Sequence, residues 1–310
     1  MPHLQDSQAR VLCLAGPTGA GKTALAIQLA QALGGEIVNA DSRQLYADFP
    51  IITAQPSTKE QRQCPHHLYG CLATDQVMDV HTWTLLAMKE VQAIAARGHV
   101  PLLVGGTGMY FHILLHGIAD IPAVPATLHD ELLSRVAREG SAALHAELAR
   151  LDPVLAGRLH PNDRQRIVRG LEVALGTEHP LSWWQEHAAQ APLCAGPLLV
   201  VDTPLSELEP LLLRRIDHMI RQGALEEGRR AWERCPTPSA PGWSGIGCRE
   251  ICALVQGKAG LDETRSLWMK NTRAYAKRQI TWFRGRRETV WIGSRDRDRA
   301  LACWDEFCRA

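Results

Sequence analysis

No segment of this 310-residue chain offers an unbroken apolar run of the length a membrane helix needs, although 45% of its residues are hydrophobic. The opening MPHLQDSQAR lacks the basic-then-apolar pattern of a secretory signal. A soluble cytoplasmic protein with no membrane partner is therefore expected. Charge bias is missing too: 34 Lys and Arg face 33 Asp and Glu, a net charge of +1. Bulk charge thus decides nothing about nucleic acid, and only its distribution can. The nine cysteines form no tightly spaced framework and are odd in number, which fits free thiols in a reducing compartment. Repeats and low-complexity tracts are absent. The remaining composition is globular, with enough chain for one large domain or two ordinary ones.

Short apolar runs alternate with helical periodicity in the first third. Val11–Ala15 reads as a buried strand, Lys22–Leu33 as a helix stopped by Gly34-Gly35, and Glu36–Ala40 as a second strand. Thr82–Arg97 is helical in pattern, Val100–Val104 is a third strand, and Tyr110 opens another apolar segment. Strands alternating with helices predict a parallel sheet flanked by helices, with ligands at the carboxyl ends of the strands. The proline-rich stretch 118–125 breaks this rhythm. From Ala126 to about Gln190 the pattern is helical throughout, and strands resume at Leu198–Val201 and Val290–Ile292. The expected fold is α/β: a P-loop NTPase-like core over 1–119 and 191–310, with an all-helical domain inserted at 120–190.

Residues 16–23 read GPTGAGKT and lie between a predicted strand and a predicted helix. Glycines let the backbone curl so that successive N–H groups face phosphate oxygens, and the helix adds its positive end. Gly16, Pro17, Thr18, Gly19, Ala20, Gly21, Lys22 and Thr23 are the expected pyrophosphate cradle. Lys22 supplies a mobile charge, and Thr23 can hold a Mg²⁺ ion on the phosphate oxygens. A nucleoside triphosphatase also needs a carboxylate ending an apolar strand. Asp202 after Leu198–Val201 and Asp41 after Ile37–Ala40 both qualify, and Asp41 follows directly on the first helix. The strand ending in Gly105-Gly106-Thr107 has no acid. This weakens a conventional ATPase without excluding a small-molecule kinase.

The chain resembles the tRNA dimethylallyltransferase (isopentenyltransferase) family, bacterial type. The resemblance rests on GPTGAGKT, NADSRQLY at 39–46, PLLVGGTGMYF at 101–111, HPNDRQRIVRGLEV at 160–173 and AKRQITWFRG at 276–285, in order over nearly the whole chain. It implies transfer of a dimethylallyl group from dimethylallyl pyrophosphate, with Mg²⁺, to N6 of the adenosine just 3′ of the anticodon. Asp41 matches the family's proton acceptor, which a weakly nucleophilic amine requires. Thr18 and Arg215, in LLRRIDHM, match groups that stabilise the departing pyrophosphate. Thr107 matches a threonine near the acceptor base.

For the acceptor, the resemblance implies tRNA contacts at Asp41, Ser42, Arg43, Gln44, Thr107 and His129, along Gln165, Arg166, Ile167, Val168 and Arg169, and at Gly247, Arg249, Lys277, Arg278, Gln279 and Arg284. The charge pattern agrees: between Lys270 and Arg287 there are seven Lys or Arg and no acid. Arg273, Lys277 and Arg284 share one helical face, interleaved with Tyr275, Trp282 and Phe283. The target base must leave its stack to be reached, so the partner is an anticodon stem-loop with a flipped adenosine. The chain departs from the family at His129, Leu211 and Ser244, where arginine or another basic residue is common. Cys64, His66, His67 and Cys71 cluster in sequence but not with a common zinc spacing. A relative that prenylates free adenine nucleotides would need neither the insertion nor the basic stretch. A pure RNA-binding module would need neither Lys22 nor Asp41. One chain can bind both substrates, so a monomer is expected.

Overall fold

The structure, a computed structural model, describes residues 8–188 and 191–310. Most of the opening segment read against export (1–7) and the end of the expected insertion (189–190) lie outside the described residues.

The alternation in the sequence becomes a layered α/β fold. β1 (Ala9–Arg10) and β2 (Leu12–Ala15) lead into the Gly-rich loop. Then come α1 (Lys22–Leu33), β3 (Gly35–Asn39), α2 (Thr58–Gln61), β4 (His66–His67), α3 (Val80–Ala96), β5 (Val100–Gly105) and α4 (Gly108–His116). A helical stretch follows: α5 (Ala126–Glu139), α6 (Ser141–Leu151), α7 (Pro153–Ala156), α8 (Arg164–Gly176) and α9 (Leu181–His187). The chain returns through β6 (Cys194–Ala195) and β7 (Leu198–Val201) to α10 (Leu205–Arg221), α11 (Ala224–Arg234) and α12 (Cys248–Val255). It closes with α13 (Leu261–Arg284), β8 (Thr289–Ile292) and α14 (Arg297–Arg309).

Six strands form one parallel sheet in the order β4-β3-β5-β2-β7-β8. β2, which feeds the Gly-rich loop, is interior, between β5 and β7. Its side chains alternate between two cores, as strand geometry requires. Leu12 and Leu14 pack with Leu25 and Leu29 of α1, whereas Cys13 and Ala15 pack with Trp83 of α3 and Phe111 of α4. Helices on both faces explain why the strands read as continuous apolar runs. Three short strands carried no such signal. β4 is a pair of histidines docked on β3, and β1 with β6 forms a separate two-stranded pairing.

The chain divides into two compact units, Met1–Leu115 with Pro192–Ala310, and His116–Ala191. The expected insertion falls within the second. That unit has its own core, built from Leu132 and Val136 of α5, Leu144 and Leu148 of α6, and Ile167 and Leu171 of α8. Asp152, fully buried, caps α7 through the Leu155 N–H at 2.9 Å and accepts the Ser182 N–H at 2.9 Å.

At the amino end of β3, buried Glu36 gathers Arg97 (2.8 Å), His99 (2.6 Å) and His67 (2.6 Å). Burial alone would raise its pKa, but the hydrogen bonds from Arg97, His99 and His67 outweigh it and hold the carboxyl at about 2. A carboxyl depressed on folding contributes stability that is present above its unfolded value and lost as pH falls toward about 2. Glu36→Gln is therefore expected to lower Tm at neutral pH and to narrow its gap from the parent below pH 4.5. Thermal melts across this range check it, and a gap independent of pH would contradict it.

Candidate active site

The Gly-rich loop leaves β2 at its carboxyl end. Gly21 is left-handed (φ 85°) and serves as the N-cap of α1. Gly19 is also left-handed (φ 83°), and Leu208 and Leu212 of α10 pack over it. The Lys22 ammonium turns back to the carbonyls of Gly16 (2.9 Å) and Pro17 (2.8 Å). Burial lowers its pKa to about 8, Asp41 opposes that shift, and Arg215 adds to it. Arg215, on α10, is itself lowered by burial and raised by Asp41 and Glu60. Thr18, Lys22, Thr23, Asp41, Tyr69 and Arg215 border a cavity of about 350 Å³ at the N-terminus of α1.

Asp41 follows β3. The buried Asn39 side chain accepts the Asp41 N–H (2.8 Å) and donates to the carbonyls of Asp41 (3.0 Å) and Leu68 (2.9 Å). Asp41 Oδ1 accepts the Arg43 N–H at 2.9 Å, which fixes the carboxylate in a tight turn. The neighbouring strand approaches closely because Gly105 has no Cβ; one would lie 2.1 Å from the Ala40 carbonyl. Thr107 donates its N–H to Ala40 (3.1 Å), and its hydroxyl oxygen accepts the Ser42 N–H (3.0 Å). Tyr275 of α13 faces the same cavity as Asp41, and burial pushes its phenol pKa up. The structure therefore brings Asp41, Ser42 and Thr107 together on adjoining strand ends.

A second cavity, of about 230 Å³, adjoins the first and shares Thr18, Asp41, Thr53 and Arg215 with it. One wall is apolar, with Ile52, Leu212, Ile216, Met219 and Trp268. Its other edge carries Arg43, Tyr275 and Arg278. Ser244, in one of the departing positions, also lines it, and Arg43 donates to its hydroxyl at 2.7 Å. The positive charge at this edge thus comes from Arg43 and Arg278.

Several expected RNA contacts have other roles. Ile167 and Val168 are buried in the core of the helical unit, because the alternate faces of α8 are apolar. Gly247 is buried with φ 87°, and a Cβ there would meet Ile52 and Trp268 at 2.7 Å; its contribution is conformational. Gln44 donates its amide to the carbonyls of Thr53 (3.0 Å) and Ala54 (2.7 Å), holding the wall of the phosphate cavity. Gln279 is 4% exposed, and both ends of its amide are bonded within the protein.

The remaining positions are accessible. Lys277, Arg278 and Arg284 are exposed on α13, and Arg249 on α12. Arg278 lies over the Tyr275 ring at 5.6 Å and Arg284 over Trp291 at 5.9 Å. Arg273 is ion-paired to Glu209 at 2.9 Å. In the helical unit Gln165, Arg166 and Arg169 are exposed. Arg166 pairs with Asp163 at 2.5 Å, and buried Glu172 takes both Arg169 (3.2 Å) and His129. His66 turns to the Cys64 carbonyl at 2.9 Å, while His67 bonds to Glu36 and Glu90, so these side chains serve the fold. Asp202 is exposed at the end of β7 and borders neither cavity.

Sequence reasoning missed Asn39, Tyr69 and Glu172. Asn39 lies inside NADSRQLY and Tyr69 follows the histidine pair, but nothing in composition separates them from ordinary strand-end residues.

A phosphate loop beside a chamber with one apolar wall, with a carboxylate at their junction, is an arrangement suited to a transferase that moves an apolar group from a phosphorylated carrier. The chain belongs to the IPP transferase family, which matches residues 44–286. It is 57% identical over 282 residues to the tRNA dimethylallyltransferase of Desulfovibrio desulfuricans, covering 91% of this chain and 87% of that one. It is 50% identical over 311 residues to the enzyme of the same name from Nitratidesulfovibrio vulgaris, covering 95% and 92%. Among solved structures, the full-length tRNA isopentenylpyrophosphate transferase of Bacillus halodurans superposes with a TM-score of 0.70 at 28% identity, covering 97% and 96%. A eukaryotic dimethylallyltransferase captured acting on tRNA superposes at 0.78 and 28%, covering 97% and 76%. The α/β architecture expected from the sequence is that of these enzymes.

Proposed function

We infer that this protein transfers a dimethylallyl group from dimethylallyl pyrophosphate to N6 of the adenosine 3′-adjacent to the anticodon, position 37, of tRNA, releasing pyrophosphate. The observation that carries this reading is the pair of adjoining cavities, one at the phosphate loop and one with an apolar wall, that share Thr18, Asp41 and Arg215. Pyrophosphate binds at the loop amides, Lys22 and Arg215, with the allylic carbon directed to the junction. The adenine N6 lone pair forms the new C–N bond as the C–O bond to pyrophosphate breaks. Pyrophosphate leaves with that electron pair, and Asp41 takes the N6 proton. Cationic groups and loop amides stabilise the departing charge. Thr107 sits beside Asp41 to orient the base.

The donors around the phosphate cavity include Thr23, Asp41 and Glu60, all oxygens, which fit magnesium. Thr23 would hold the ion, which when bound neutralises charge on the pyrophosphate oxygens. The exposed cations of α13, with Arg249, form the RNA-facing surface of the core, and Gln165, Arg166 and Arg169 that of the helical unit. The enzyme acts as a monomer, since the groups assigned to both substrates lie on one chain. The cytoplasm, where tRNA is processed and thiols stay reduced, suits its nine free cysteines.

The test is a transfer assay with Mg²⁺, labelled dimethylallyl pyrophosphate and an anticodon stem-loop carrying consecutive adenosines, with AMP in parallel. Label on the stem-loop alone is expected. Label on AMP alone would move the protein to the nucleotide-prenylating branch, and ATP hydrolysis without any label would refute prenyl transfer.

A further inference from the structure

Gln279 sits where three chain segments meet. Its Oε1 accepts the N–H of Thr18 in the phosphate loop at 2.9 Å, from a residue 261 positions away. Its Nε2 donates to the carbonyl of Gly106 at 2.9 Å, across 173 positions. A Cβ on Gly106 would lie 2.1 Å from that Nε2 and 3.3 Å from Asp41 Oδ2, so the Asp41 turn closes on the same point. The side chain is 4% exposed, which places it beneath the RNA-facing surface of α13.

The same face of α13 bears on the strand end at two further positions. Tyr275, one turn earlier, borders the cavity that Asp41 lines. The Trp282 ring covers Gly108, where a Cβ would stand 2.3 Å from Cε3. Only Gln279 of these three also reaches the phosphate loop. The groups that hold the leaving pyrophosphate and those that hold the attacking base thus lie on different segments, and one amide spans them.

We propose that Gln279 is a positioning residue, a strut that sets the phosphate loop against the Asp41–Thr107 edge and so fixes the approach of the amine to the allylic carbon. The proposal rests on the prenyl-transfer reading above. Gln279 touches neither substrate. Its effect is on the reacting distance, where a displacement near 1 Å lowers rates by about 10²-fold. Binding of each substrate on its own segment is unaffected.

The test uses Gln279→Met, which removes both hydrogen bonds at similar length, and Gln279→Glu, which keeps the acceptor for Thr18 but sets a carboxylate against the Gly106 carbonyl. Both are assayed for kcat, KM for dimethylallyl pyrophosphate, stem-loop Kd and Tm. The expected result is a kcat lower by about 10²-fold, with KM and stem-loop Kd each within about threefold of the parent. A weakened stem-loop Kd with kcat preserved would make Gln279 an RNA ligand and overturn the proposal. A lower Tm with kcat and KM unchanged would make it purely structural and overturn it too. If Gln279→Met does not fold, Gln279→Glu decides by the same readouts, and failure of both to fold also overturns the proposal. Failure of the parent enzyme to label the stem-loop removes the prenyl-transfer reading itself; normal parent transfer with an unchanged variant kcat removes only this inference.

Discussion

Asp41→Asn lowers the rate of transfer to the stem-loop by about 10²–10⁴-fold, the range that a positioned general base contributes. Asparagine is the informative replacement because it keeps the turn. Its amide oxygen can still accept the Arg43 N–H that Asp41 Oδ1 accepts at 2.9 Å, and the backbone bonds to Asn39 do not involve the side chain. The fold and the phosphate cavity therefore stay as they are, and KM for dimethylallyl pyrophosphate changes little. What is lost is the capacity to take a proton from N6. Single-turnover transfer under saturating donor isolates that step, and a variant within tenfold of the parent would show that another group takes the proton.

Lys22→Met has the second large effect, a fall in kcat/KM for the donor of about 10²–10³-fold, comparable with removing one preorganised charge donor from a reacting site. Lys22 meets the pyrophosphate in both bound and departing states, so KM rises as well as kcat falling. The parent enzyme carries a pH signature of the same group. Burial brings the Lys22 ammonium down to about 8, against the pull of Asp41 and together with the push of Arg215. The protonated form binds the anion, so kcat/KM of the free enzyme declines as pH rises through about 8. The decline is absent from the small residual activity of Lys22→Met. A parent profile flat to pH 10 would contradict the assignment.

Much of the core was legible because its signals are local. Lys22–Leu33 is read as a helix from its apolar spacing and its glycine stop, and the structure ends α1 at Gly34 with φ 59°. The strands that carry the site are runs of buried aliphatics, and GPTGAGKT states its own backbone geometry. The features that were not legible depend on distant partners. Glu36, Glu172 and Glu227 are buried, which no local pattern in the sequence signals. Glu227 accepts the N–H groups of Ile51 and Ile52, each at 2.8 Å, and burial raises its pKa to about 6. Gln279 stands among cations and aromatics that describe an RNA-facing helix, and nothing nearby shows that its own amide turns inward.

The order of strands in the sheet has a consequence for how the enzyme is made. β4, β3, β5 and β2 come from the chain before the helical stretch, whereas β7, the other neighbour of β2, comes after it. On a ribosome the phosphate-loop strand therefore emerges as an unpaired sheet margin, its backbone donors and acceptors open along an aliphatic ribbon. It stays so while the chain from Gly105 to Leu198 is translated, roughly 5–20 s at ordinary elongation rates. A stalled or nicked nascent chain ending in that interval would retain the whole phosphate loop and expose a sticky edge beside it, an insoluble fragment rather than a partially active one.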